Sequence, residues 1–142
     1  ELYPGDRDDI LDFSQPSHEK NLRGGFWELE GIYGNRYRWI QDKASAVLTR
    51  VDPRPQRIRI RGFATPEFLQ GGGGSPTIKV NVNGQACGNW TIDRTGVFIL
   101  EADLPDAPSY EVEINASPAW IPAGDDRRVT VNISMIRLIP RE

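Results

Sequence analysis

Apolar residues recur at every second position through much of this chain, a period that suits extended strands with one covered face and does not suit an amphipathic helix. Ile78, Val80 and Val82 alternate with Thr77, Lys79 and Asn81 and run directly into Asn83-Gly84. Both turn residues accept the positive φ of a two-residue hairpin, so Gln85 to Trp90 is expected to pair back on Thr77 to Val82. Tyr110, Val112 and Ile114 share one phase and Glu111 and Glu113 the other, which describes a sheet with one wet face. Val129, Val131, Ile133 and Met135 keep a phase that Ile136 and Leu138 reverse, so a bulge or bend is expected near Met135. Gly96 to Ala102 carries Val97, Phe98, Ile99 and Leu100 in succession and reads as a strand covered on both faces.

Upstream, Ala44 to Arg50 and Arg57 to Ala64 read as strands on either side of the turn Asp52-Pro53-Arg54-Pro55, with shorter candidates at Asp9 to Phe13, Phe26 to Glu30 and Arg36 to Gln41. No window sustains a helical apolar period, and a single turn at Thr65 to Leu69 is the most helix expected. The predicted class is therefore all-β: a single antiparallel β-sandwich, jelly-roll-like, of about nine strands. The glycine run from Gly71 to Gly74 reads as a long loop within that sandwich, because neither flank has enough strands to close two packed sheets alone. Residues 1–142 are expected to form one domain, a length sufficient for its own core, and the start at Glu1 without methionine suggests a piece cut from a larger protein.

The formal charge of −3 argues against a nucleic-acid partner, which needs clustered cations to neutralise phosphates. Arg57, Arg59 and Arg61 alternate with Ile58 and Ile60 and read as the solvated side of a strand. No apolar run reaches the roughly 20 residues that span a bilayer, so no direct membrane insertion is expected.

Enzyme classes find little footing. A Ser/His/Asp hydrolase would need His18 as base, yet Gln15 to Lys20 reads as a polar loop with an exposed histidine, and no Gly-x-Ser-x-Gly turn exists. Cys87 is the one cysteine and reads as a small buried or half-buried thiol; with a single His and a single Cys, a catalytic zinc site is not expected. Paired carboxylates for glycoside hydrolysis could come from Glu28, Glu30, Asp125 and Asp126, a lesser alternative in a chain that must build both core and cleft. No cofactor is expected. A structural calcium held by Asp6, Asp8, Asp9 and Asp12 is open, against the plainer reading of solvated turn residues.

The aromatic residues carry more information. Phe26, Trp27, Tyr33, Tyr37 and Trp39 are interleaved with Glu28, Glu30, Arg36 and Arg38, and alternation places Tyr37 and Trp39 on one face. Flat rings beside carboxylate, amide and guanidinium groups match what a sugar presents, C–H faces ringed by hydroxyls. Equally, Trp27 or Trp39 could close one end of the core. Trp120, in Pro118-Ala119-Trp120-Ile121-Pro122, is a further candidate ring or a loop anchor.

At these residues the chain resembles a known group. Leu11-Asp12-Phe13, Gly25-Phe26-Trp27 with Glu30-Gly31, Arg38-Trp39 and Ala44 to Leu48 are similar to the opening of the carbohydrate-binding-module-like β-sandwich accessory domains of bacterial glycosyltransferases. The hairpin Val80 to Gly84 with Gly88 and Trp90, and Asp126-Arg127-Arg128 leading into Val129 to Leu138, resemble the second half. The chain departs where Phe26-Trp27 replaces a pair with tryptophan first, and where Val129-Thr130 replaces Leu-Gly. The resemblance implies sugar or glycan recognition without catalysis, with the parent glycosyltransferase or other domains of the same chain as further partners. It picks out Glu30, Arg38, Trp39, Asp126 and Arg128. Together with the rings, the expected ligand-binding set is Trp27, Glu30, Tyr33, Arg38, Trp39, Trp120, Asp126 and Arg128. The plainer alternatives are an ion pair between Glu30 and Arg128 that pins a loop to the last strand, and a scaffold domain with no sugar ligand.

Overall fold

Among the described residues the alternation becomes nine antiparallel strands. The computed structural model describes residues 8–32, 35–71, 74–122, 124 and 126–141. The strands are β1 (Ile10–Asp12), β2 (Leu22–Ile32), β3 (Asn35–Thr49), β4 (Gln56–Ala64), β5 (Thr77–Val82), β6 (Gln85–Thr91), β7 (Gly96–Asp103), β8 (Ser109–Ser117) and β9 (Asn132–Pro140). A 3-10 turn covers Pro16–Asn21 and a single short helix, α1, covers Pro66–Gly71. The hydrogen-bonded path runs β6-β5-β8-β3-β9-β4-β7, with β1 beside β9 and β2 beside β3.

The path folds over at β3. Arg38 and Trp39 pair with Ile133 and Asn132 of β9, whereas Lys43 to Thr49 pair with β8, so one strand of 15 residues serves both layers. The two segments expected at Arg36 to Gln41 and Ala44 to Arg50 are this single strand. Between the layers lie Ile78, Val80 and Val82 of β5, Tyr110, Val112 and Ile114 of β8 and Ala44, Ala46 and Leu48 of β3. Facing them are Ile58 and Ile60 of β4, Leu100 of β7 and Ile133, Ile136 and Leu138 of β9, all in one contiguous core. Each buried aliphatic chain of this kind contributes about 1.5–3 kcal/mol, which makes the sandwich the dominant source of stability. Tyr110 is fully buried, and its hydroxyl donates to Pro105 O at 2.7 Å, so its one polar atom is satisfied.

Two turn features follow the sequence. Asn83 and Gly84 have φ of 51° and 83° between β5 and β6, as the hairpin requires. The phase reversal in the last strand is a bulge: Met135 faces Arg61 and Ile133 faces Gly62, which leaves Ser134 as the extra residue. Three expectations are corrected. β7 ends the sheet path, and its outward face is bare, with Val97 68% and Ile99 57% exposed. A run of apolar residues signals two covered faces only in a central strand. Gly71 closes α1 and is not loop, while residues 72 and 73 lie outside the described set. His18 is 3% exposed, because the 3-10 turn folds its ring onto Phe13 with centroids 4.8 Å apart.

Candidate functional site

The outward face of the layer formed by β3, β9, β4 and β7 carries two adjoining hollows, of about 400 and 310 Å3. They share Trp39 and Thr65 and so form one groove. Strand alternation builds the larger: Tyr37 and Trp39 project from β3, Asn132 and Ser134 from β9, Arg61 and Phe63 from β4, and Val97 from β7. Gly62, between Arg61 and Phe63, permits the close approach of strands beneath it, since a Cβ there would meet Asn132 O at 2.3 Å. The smaller hollow is closed by Trp120, Pro122, Arg127 and Val129 of the loop ahead of β9 and by Glu67 of α1. Trp120 is fixed there from two sides. Its backbone exchanges hydrogen bonds with Val129 at 2.7 and 2.8 Å, and its ring meets Phe68 of α1 edge-on at 5.8 Å.

Behind that wall lies a second, interlocked cluster. Trp27 Nε1 donates to Arg128 O at 2.9 Å, the Arg127 guanidinium stands 5.9 Å over the Trp27 ring, and Arg127 Nη1 donates to Glu30 at 2.7 Å. Cation, ring and carboxylate thereby hold the loop that presents Trp120 against β2. Arg38 belongs to the same support: its side chain is only 11% exposed and donates to Trp27 O at 2.9 Å, to Glu19 at 3.2 Å and to His18 Nε2 at 3.1 Å. The His18 Nδ1 sits 2.7 Å from Gln15 O, so Nδ1 carries the proton and Nε2 accepts. Burial, with the Arg38 charge beside it, pushes the imidazole below its ordinary range.

Of the residues singled out in sequence, Trp39 and Trp120 line the groove. Trp27, Glu30 and Arg38 stand behind its wall, Arg128 turns away, and Tyr33 lies outside the described residues. Asp126 is exposed and lines neither hollow. The expected Glu30–Arg128 tie does not form. Glu30 takes Arg127, and Arg128 takes Asp42 at 2.8 Å, holding that carboxyl below the usual carboxylate range. Consecutive residues of an extended segment point to opposite sides, so one carboxylate can capture only one of the adjacent arginines. Neither Trp27 nor Trp39 is among the fully buried residues; the largest interior rings are Tyr110, Phe13 and Phe68.

Phe63 and Asn132 also line the groove and are outside the expected set, although Phe63 shares the phase of Arg57, Arg59 and Arg61, which is the signal that places it outside. Among the residues considered for calcium, Asp8 pairs with Lys20 at 3.1 Å and Asp12 accepts from Ser14 N at 2.9 Å, while Asp6 lies outside the described residues. No three metal-ligating side chains converge among the described residues. On the opposite layer a third hollow contains Glu113, whose carboxylate is already engaged by Asn115, Asn81 and Lys43. No ring lines it.

No known family's sequence model matches this chain, and no characterised protein matches it by sequence. Solved structures do. The chain is similar to a Podospora anserina GH26-CBM35 β-(1,4)-mannanase, with a TM-score of 0.60 at 17% identity over 96% of this chain and 28% of that one. It is also similar to a family 35 carbohydrate-binding module from Clostridium thermocellum, with a TM-score of 0.53 at 13% identity, covering 96% of each. A third likeness is to the CBM36-1 domain of a multidomain xylanase from the hindgut metagenome of Trinervitermes trinervoides, with a TM-score of 0.51 at 12% identity over 94% of this chain and 97% of that one. At such identities the likeness is one of fold: the chain has the β-sandwich of these carbohydrate-binding modules. It spans less than a third of the length of the first larger proteins it matches.

Proposed function

We propose that this domain is a non-catalytic carbohydrate-binding module that holds a saccharide in the groove between Tyr37, Trp39, Phe63 and Trp120. The observation that carries this reading is the sharing of Trp39 by two adjoining hollows, which gives a continuous concave surface with rings along its walls and amide, hydroxyl and guanidinium groups on its floor. Such rings take the apolar face of a sugar, while Asn132, Thr65 and Ser134 meet its hydroxyls. Glu67 is the one carboxylate among the described lining residues, which supports binding over hydrolysis by paired acids. The fold shared with carbohydrate-binding modules agrees. The resemblance of the sequence to glycosyltransferase accessory domains supports a parent of that kind, for which this domain would position glycan.

Val97 on the groove wall and Ile99 next to it are exposed, and they favour a second reading, contact with another domain of the parent protein. A glycan array followed by calorimetry separates the two. Trp39→Ala and Trp120→Ala, each shown folded by its thermal melt, should weaken glycan binding about tenfold or more, as loss of a stacked ring does. A folded wild-type domain that binds no glycan, or binding untouched in both variants, would overturn the saccharide reading.

A further inference from the structure

The outward face of β4 carries Arg57, Arg59 and Arg61 in one row, and their surroundings differ. Arg57 lies opposite Asp103 of β7 and Arg59 opposite Glu101, and both form ion pairs across the ladder. Arg61 lies between Ile99 of β7 and Met135 of β9. Opposed residues share a face, so the two side chains flanking Arg61 on that face are apolar and cannot neutralise it. Its Nε donates to Ser134 Oγ at 2.9 Å, and it has no carboxylate partner among the described residues. Yet Arg61 lines the groove beside Tyr37 and Phe63. Arg137, opposite Arg59 on the same face, likewise has no carboxylate partner among the described residues. Although the chain is negative overall, Arg61 is the one charged residue among the described residues lining the larger hollow.

A guanidinium held by one neutral hydroxyl keeps its remaining N–H groups directed to whatever enters, and its planar fork suits an oxyanion. We infer that the groove selects an anionic saccharide, with the acid group, a carboxylate or a sulfate ester, seated on Arg61 while the sugar ring lies against Tyr37 and Trp39. This rests on the saccharide reading of the same groove and narrows its ligand class.

Calorimetric titration tests it with three probes: a short homo-oligouronide, its carboxyl-reduced neutral counterpart, and a sulfated form of that neutral oligomer. At low salt the wild-type domain should bind at least one acidic probe about tenfold or more tighter than the neutral one, a preference that shrinks as ionic strength rises. Arg61→Gln should weaken the acidic probes until they bind within about twofold of the neutral one, and Arg61→Lys should restore part of the preference. Arg59→Gln, which removes a charge already held by Glu101, should leave the preference in place. Equal binding of acidic and neutral probes by the wild type, or equal loss of preference in Arg59→Gln and Arg61→Gln, overturns this inference and leaves the saccharide reading standing. Failure to bind any glycan, acidic or neutral, overturns both.

Discussion

Arg38 Nε donates to His18 Nε2 across 3.1 Å, so each of these two residues fixes the other's state: the imidazole must stay neutral to accept, and the guanidinium must stay where it holds Trp27 O. Protonating His18 would set two cations against each other in a buried contact.

A pH dependence follows. The folded imidazole titrates below its ordinary value of about 6.5, because burial disfavours the cation. Below that value the unfolded chain binds a proton that the folded chain refuses, so stability is full above about pH 6.5 and falls as pH drops toward the lower folded value. Urea midpoints at pH 7.5 and 5.5 should show the loss. His18→Gln, which keeps an acceptor and removes the titration, should flatten that part of the profile; an unchanged slope would show that His18 is not its source.

The strands beneath the groove tolerate no side chain at residue 62. A Cβ there would lie 2.3 Å from Asn132 O and 2.5 Å from Phe98 Cζ, and backbone cannot retreat as a flexible side chain can. Gly62→Ala is expected to cost about 2 kcal/mol or more in chemical denaturation, with weaker binding of any ligand because β4 and β9 must separate under it.

The two neighbouring arginines of the loop ahead of β9 should behave differently. Arg127 is mostly enclosed, lies over Trp27 and engages Glu30. Glu30→Gln is expected to lower stability by about 1 kcal/mol and to loosen the wall that carries Trp120, read as faster proteolysis between Trp120 and Val129. Arg128 and Asp42 are both largely exposed, so Arg128→Ala should leave the denaturation midpoint unchanged within error.

Trp27→Phe separates support from contact. The substitution keeps a ring under Arg127 but removes the N–H that reaches Arg128 O. It should reduce stability by about 1 kcal/mol, the net worth of one hydrogen bond, while a direct sugar contact would instead lose affinity at unchanged stability.

The architecture was legible because alternation reports faces. It placed Ile58 and Ile60 inward and Arg57, Arg59 and Arg61 outward, and it located the bulge at Ser134 to within one residue. Alternation does not report continuity. The polar Gln41, Asp42 and Lys43 split β3 in the sequence because there the strand passes from one layer to the other and buries neither side. The rings were legible as a cluster, and Tyr37 and Trp39 as a pair. Which ring supports and which lines the groove depends on partners far along the chain: Trp27 is claimed by Arg128 and Trp120 by Phe68, and no local pattern encodes either. His18 departs from the expected exposed loop position for the same reason. Its polar neighbours describe a loop, whereas Phe13 and Arg38 bring it inside.

The passage of β3 through both layers also bears on load. Tyr37 and Trp39 stand on the half that pairs with β9, and the same unbroken backbone continues into the ladder with β8. A pull on a polymer seated over those rings would be shared as shear along two hydrogen-bonded seams instead of peeling away an edge. Tension on a tethered chain would thus be met by the whole sandwich.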